Sequence, residues 1–590
     1  MALCNFDPSQ EQYVDYIVQY SALTLDALYK LAENQCLHFV NREYVIVSAD
    51  QSTVLPINIA RDTYTAIPKL YGLLDTSALE SSGILPAFEQ PALMATGRGV
   101  ILGIIDTGID YTNPLFRNAD GSTRILGMWD QSIAGTEPPP IIEDFDPIYG
   151  TVYTPEEINQ ALNSDDPFQA VPSRDTNGHG TFLAGVAAGK RVSSPAPFSG
   201  AAPESLLGIV KLKPAKQYLR DFFLIPGTTP AYQENDIMMA VSWLLALASR
   251  AGLPIVLFLG CGTNQGSHDG TSPLAQQLQA LIPRKGVVVV TGAGNEVGYQ
   301  HHFMGDTAEN QEYEDVELRI APREPGFCME LWARTPELYT VGFVSPAGEI
   351  ITPRSLTSEN ESQITFRLDT TRITLTYQAY EANSASQLVF LRFQTPSPGI
   401  WHIRVYPALP LTGQFHLWLP QHDFISEQTV FLRPDPDVTI TDPGNASMPI
   451  TVGSYQHRNE SIYIHSSRGF TRTGQIKPDL VAPGVDVSGP SLNAESNSER
   501  AAAAQSGNDR SITFARRSGT SVAAAIVAGA AADILSWGIT DGNSPNINSA
   551  TVKAMLIRGA DRNPAFRYPN RQWGYGTLNL YQSFTTPASG

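Results

Sequence analysis

Cysteine is scarce. The four in 590 residues, Cys4, Cys36, Cys261 and Cys328, are scattered without the close spacing of a metal or redox site. That usage argues against a disulfide framework. Positive charge is also in short supply, with 39 Lys and Arg against 58 Asp and Glu, for a net charge of −19. Such a balance disfavours nucleic acid and anionic membrane surfaces as main partners. No run approaches the roughly twenty apolar residues of a membrane span, so membrane insertion is not expected. The opening Met1-Ala2-Leu3-Cys4-Asn5-Phe6-Asp7-Pro8 lacks the basic and apolar segments of a secretory leader, and the expectation is a cytosolic chain. A hydrophobic content of 42% is ordinary for a globular protein. The length exceeds one core, so roughly two to four domains are expected.

Four short motifs carry chemistry. Ser521 lies in Gly519-Thr520-Ser521-Val522-Ala523-Ala524, a tight turn opening a long alanine-rich helix. A hydroxyl in the first turn sits beside unpaired backbone N–H groups and the positive end of the helix dipole, a setting that favours a developing oxyanion. Asp106 ends the apolar run Gly99 to Ile105, a buried-strand pattern broken by Thr107-Gly108. A carboxylate at the carboxyl end of such a strand sits where open α/β sheets place their sites. His179, between Gly178 and Gly180, precedes a helix of small residues and is suited to act as general base toward Ser521. Asn295, in Gly292-Ala293-Gly294-Asn295-Glu296, follows the strand-like run Gly286 to Thr291, and its amide can donate to a tetrahedral oxyanion. Taken singly, each is an ordinary turn former or helix cap. It is their joint order that points to acyl transfer.

In that order, Asp, His, Asn, Ser, the chain resembles the subtilisin-like serine peptidases. Weaker matches follow the same order: Gly200-Ala201-Ala202-Pro203-Glu204 before the run Leu207 to Leu212, then Asp479-Leu480-Val481-Ala482-Pro483-Gly484, then Trp573-Gly574-Tyr575-Gly576-Thr577-Leu578-Asn579. The resemblance implies an α/β fold, a parallel sheet with helices on both faces, over residues 67–300 and 441–590. It implies a triad of Asp106, His179 and Ser521, with Asn295 in the oxyanion hole. Extended protein or peptide substrate would bind along Phe258, Leu259 and Gly260, with Gly294 and Glu296 also lining the site. Phe258 would narrow the first pocket and Glu296 would favour a basic or polar side chain. The chemistry needs no cofactor or metal; calcium stabilises many relatives, but no loop here shows the required carboxylate spacing.

Residues 1–66 read as a small α+β unit, with strands at Tyr13–Val18 and Tyr44–Val47 and a helix at Leu25–Ala32. By resemblance this is a propeptide, a partner of its own catalytic domain, and self-cleavage is expected near Ala66, between Tyr64 and Leu74. A proline-rich acidic stretch from Glu137 to Asp146 reads as a surface loop. Asn295 and Ser521 are 226 positions apart, far more than a compact core needs. The excess, residues 301–440, holds alternating strands such as Glu314–Ile320, Gln363–Leu368, Gln387–Phe393 and Gly399–Val405, as an inserted β-sandwich or jelly roll would. That layout, with Asn264-Gln265-Gly266-Ser267-His268-Asp269-Gly270, resembles the Csp-type germination proteases of spore-forming bacteria. It implies spore association and activation of a cortex-lytic pro-enzyme. Two other readings remain open. One is a non-enzymatic scaffold silenced by a retained propeptide. The other is a carbohydrate-binding insertion in which Trp332, Trp401 and Trp418 stack on sugars.

Overall fold

A computed structural model describes residues 2–3, 13–19, 35–39, 44–54, 77–90, 93, 95–133, 149–193, 197–307, 311–353, 362–492 and 512–586. The chain divides into two compact units, Met1–Leu73 and Leu74–Gly590. In the first, strands Ala2–Leu3, Cys36–Phe39, Tyr44–Asp50 and Tyr13–Gln19 form an antiparallel sheet in that order. Both strands expected there are present. The expected helix Leu25–Ala32, the Glu137–Asp146 loop and the expected cut near Ala66 lie outside the described residues.

Nine strands build the main sheet of the second unit. Its centre runs Ile450–Gln456, Val287–Gly292, Ile255–Leu259, Ile101–Asp106, Leu206–Lys211 and Ile125–Asp130, all parallel. Parallel strands are covered on both faces, which is why they read as continuous apolar runs rather than alternating ones. Leu102 and Ile104 enter one layer with the helices His179–Ala188 and Thr520–Leu535. Ile101 and Ile105 enter the other, against Glu234–Ala251 and Pro273–Ala280. The serine helix is buried on every side except at Ser521. With its continuation to Thr540 it is long and apolar enough to cross a bilayer, contrary to the expectation that no such stretch exists. It is instead the central core helix of this unit. A ring of alanines lets it lie close to the sheet and to the histidine helix.

Strands between His302 and Phe431 form two further antiparallel sheets. Phe327, Met329, Leu331, Leu391 and Phe393 of one face Val341, Phe343, Trp401 and Ile403 of the other across a shared core. The result is a sandwich. On the strand Gly326–Arg334 the alternate residues Cys328, Glu330 and Trp332 therefore point away from that core. They meet the catalytic body: Cys328 Sγ lies 3.6 Å from the Phe222 carbonyl and the Gly266 N–H donates to Glu330. Trp401 is in the sandwich core, and Trp332 and Trp418 are buried together with Val438. None of the three is presented to solvent for sugar stacking.

Arg472 locks this joint. Its Nη2 lies 2.7 Å from Asp269 Oδ2 and 2.9 Å from Ser386 Oγ of the sandwich, and its Nε donates to the Ser267 carbonyl at 2.6 Å. Both members of the ion pair are buried. Removing one partner strands the other charge in the interior. Arg472→Met is expected to destabilise the protein by about 3–5 kcal/mol, read as a lower denaturant midpoint, and adding Asp269→Asn should recover part of the loss. An unchanged midpoint would show that this buried pair does not stabilise the protein.

Candidate active site

The sheet brings three distant residues together. Asp106 ends the central strand, buried, with one carboxylate oxygen accepting the Thr107 N–H at 2.7 Å. His179 begins its helix, and its Nδ1 lies 2.8 Å and 3.0 Å from the two Asp106 oxygens. A carboxylate only accepts, so Nδ1 carries the proton and Nε2 is left as the acceptor. Nε2 lies 3.3 Å from Ser521 Oγ. Burial alone would lower the His179 pKa, but the charge and hydrogen bond of Asp106 outweigh it and hold it above the ordinary histidine value. The imidazole is thus poised to accept a proton.

Glycine makes the approach possible. A Cβ on Gly260 would stand 2.3 Å from Asp106 Oδ2, and one on Gly180 would stand 2.2 Å from the Gly108 carbonyl. Behind the histidine, Asp175 accepts from Thr107 Oγ1, the Gly178 N–H and Thr181, and so ties the end of the Asp106 strand to the start of the His179 helix. The one signal for Asp175 in the sequence is its place in Asp175-Thr176-Asn177-Gly178-His179, four positions before the histidine. Asn295 is oriented as well. Its Oδ1 accepts the Thr520 N–H at 2.9 Å, which turns Nδ2 the other way. A Cβ built on Gly519 would lie 3.4 Å from Ser521 Oγ and 3.5 Å from Asn295 Nδ2, so both groups front the same spot.

A cleft of about 1180 Å³ opens over Asp106, His179, Asn295 and Ser521. The profile of the subtilase family matches residues 97–361 and 433–576. The chain belongs to the subtilase family. Its structure is similar to that of the CspB protease of Clostridium perfringens, at a TM-score of 0.73 and 29% identity over 86% of this chain and 97% of that one. Among curated relatives, the serine protease AprX of Bacillus subtilis (strain 168) is 32% identical over 130 residues, 21% of this chain and 27% of AprX. An uncharacterized protein of Aquifex aeolicus (strain VF5) is 33% identical over 144 residues, 22% of this chain and 59% of the relative. The matched stretches therefore span less than two thirds of either curated relative.

In this subtilase the substrate-binding expectations need correction. Phe258 is fully buried in one layer of the sheet and Leu259 in the other, and the backbones of both are already paired with neighbouring strands on either side. Neither lines the cleft, and Phe258 narrows no pocket. The cleft wall begins at Gly260, with Gly294 facing it. Cys261 also lines it, but burial and then the Asp106 charge push its thiol up to about 12, which leaves it unreactive. Among the described residues no group of three or more His, Cys, Asp and Glu side chains converges as a metal site would.

Glu296 reaches the cleft only 5% exposed, and its carboxylate is already engaged. Oε1 lies 2.8 Å from His422 Nδ1, and Oε2 accepts from Asn264 Nδ2 at 2.9 Å and from the His422 N–H at 3.2 Å. A basic substrate side chain would have to displace these partners. Burial would raise the Glu296 carboxyl, but the neighbouring His301 and His422 hold it down at about 2. Burial would lower His422, but Glu296 raises it overall. His422, stacked 4.3 Å from the Tyr299 ring, comes from the stretch that carries the sandwich. It was invisible in the sequence, 126 positions from its partner.

The two shifts set a pH window. The lowered carboxyl contributes stability above its unfolded value of 4.5 and loses it as pH falls toward 2. The raised imidazole contributes below its unfolded value of 6.5 and loses it as pH rises through its folded value. The pair is therefore strongest between pH 4.5 and 6.5. His422→Gln should cost about 1–3 kcal/mol there and less at alkaline pH, measured as a melting-temperature difference from wild type. A difference that does not vary with pH would contradict the ion pair.

Proposed function

We propose that this subtilase is a serine endopeptidase that works through an acyl-enzyme. Ser521 Oγ attacks the scissile carbonyl while His179 Nε2 takes its proton. Asp106 holds the imidazole in the required tautomer and stabilises it once charged. The Asn295 amide and the Ser521 backbone N–H, at the positive end of the serine helix, receive the oxyanion. His179 then returns the proton to the departing amine, and water repeats the sequence to release the acid. The observation that carries this reading is the unbroken chain of contacts from Asp106 through His179 to Ser521. A hydroxyl in that chain, opening on a cleft this large, is placed to react and not merely to cap a helix.

The N-terminal unit is assigned as a propeptide that the catalytic domain removes in itself. Its small antiparallel sheet and the resemblance to propeptide-bearing subtilisins support that assignment. The natural substrate is assigned as a pro-enzyme, such as a spore cortex-lytic hydrolase, on the resemblance to Csp-type proteases. Mass spectrometry of the purified full chain beside Ser521→Ala tests the activity. Wild type should separate into a fragment ending between Tyr64 and Leu74 and a larger body, and the variant should stay whole. If both stay whole, the self-processing peptidase is refuted and a silenced scaffold takes its place.

A further inference from the structure

One wall of the catalytic cleft belongs to the inserted sandwich, and it carries a carboxylate with a free oxygen. Glu330 is 8% exposed. Its Oε2 accepts both the Gly266 N–H and the Trp332 Nε1–H, each at 2.9 Å. Its Oε1 has no donor among the described residues, yet it is not sealed in, since it is absent from the buried atoms that lack a partner. Glu330, Trp332 and Leu388 line the same cleft as Ser521. A carboxylate in such a place is costly to ionise without a cation. Burial does push the Glu330 carboxyl up, against the pull of its two hydrogen bonds.

The surroundings select for positive charge. Glu234, Glu296, Glu381, Asp423 and Asp442 also line the cleft, against one arginine among the described residues, Arg220. Arg220 is spent on the Gly227 and Thr229 carbonyls. Of the other carboxylates, Glu296 has His422 and Asn264, Glu381 has the Asn383 and Ser384 N–H groups, Glu234 has the Leu274 N–H and Asp442 has Ser272, while Asp423 stands largely in solvent. Glu330 takes two donors on one oxygen and keeps the other without a donor among the described residues. Leu388, only partly buried, lines the same cleft and offers apolar surface for an aliphatic stem.

We propose that Glu330 is a specificity-determining residue, through which the inserted sandwich reads a basic side chain, arginine or lysine, of the bound peptide. This rests on the peptidase reading above, and it gives the sandwich a direct part in substrate choice. The bound guanidinium or ammonium would supply the missing donor to Oε1 while Oε2 keeps its tie to Gly266 and Trp332. Glu330→Gln is the discriminating change. The amide oxygen can still accept from Gly266 and Trp332, but an NH₂ replaces the oxygen offered to a cation.

The test uses the full chain carrying Ser521→Ala and a set of labelled peptides with one arginine at each successive position, beside the same set with citrulline. Citrulline keeps the shape and removes the charge. Anisotropy should show one position at which arginine binds roughly tenfold or more tightly than citrulline. Adding Glu330→Gln should abolish that preference and leave citrulline binding and the melting temperature unchanged. No arginine preference at any position, or a preference that survives Glu330→Gln, overturns the proposal. Turnover of the same peptides by the serine-intact chain separates the two readings. Arginine-selective binding without turnover contradicts the peptidase reading and leaves this one standing, whereas turnover indifferent to arginine does the reverse.

Discussion

The ladder of the parallel sheet is the constraint on which the rest depends. Asp106 and His179 are 73 positions apart, and His179 and Ser521 are 342 apart. No local preference can join them. Parallel strands in register put their carboxyl ends on one edge, and there Asp106 ends one strand while Gly260 and Gly292 close two neighbours. The histidine and serine helices pack on a single face of the sheet, so each helix begins at that same edge. Once register and packing are set, the hydrogen bonds between Asp106, His179 and Ser521 need only small side-chain adjustments. The cost of ordering the catalytic groups has been met by burial of the sheet and not by the site itself.

The sandwich shows how an insertion becomes part of a site without touching the triad. It presents the outer face of one sheet to the catalytic body, and that face carries residues unusual for an edge meant for water. Trp332 and Trp418 are buried there, Ser386 receives Arg472 of the catalytic body, and His268 stacks on Trp418 at 4.0 Å. These contacts converge on the loop Asn264 to Gly270, which leads directly from Gly260 in the cleft. Through Asn264 and His422 the same joint grips Glu296, the neighbour of Asn295. The position of Asn295 and the shape of the cleft are therefore linked through one interface.

Much of this is legible in the sequence itself. Asp106, His179, Asn295 and Ser521 each sit in a short local pattern, a strand end or helix start, where glycines mark sharp turns. Local patterns survive in sequence. The strand Glu314–Ile320 was read to its ends because one of its faces is wet and its side chains alternate. Phe258 and Leu259 misled for the opposite reason. In a strand buried on both faces nothing in the sequence says which way a side chain points, and the cleft begins one residue later. His422 and Glu330 were out of reach because their roles come only from a tertiary joint. Glu330 sits among strongly apolar residues, and its neighbour Gly266 is 64 positions away.

The chemistry of this site depends on activation of Ser521 by His179. The most direct measurement is covalent labelling by a fluorophosphonate, followed by peptide mapping, across a range of pH. One labelled residue is expected, Ser521, at a rate that climbs with pH through a midpoint above the ordinary histidine value of 6.5. Replacement of His179 by alanine should abolish the labelling. Label on another residue, or on Ser521 at a rate that neither follows pH nor needs His179, would contradict that activation.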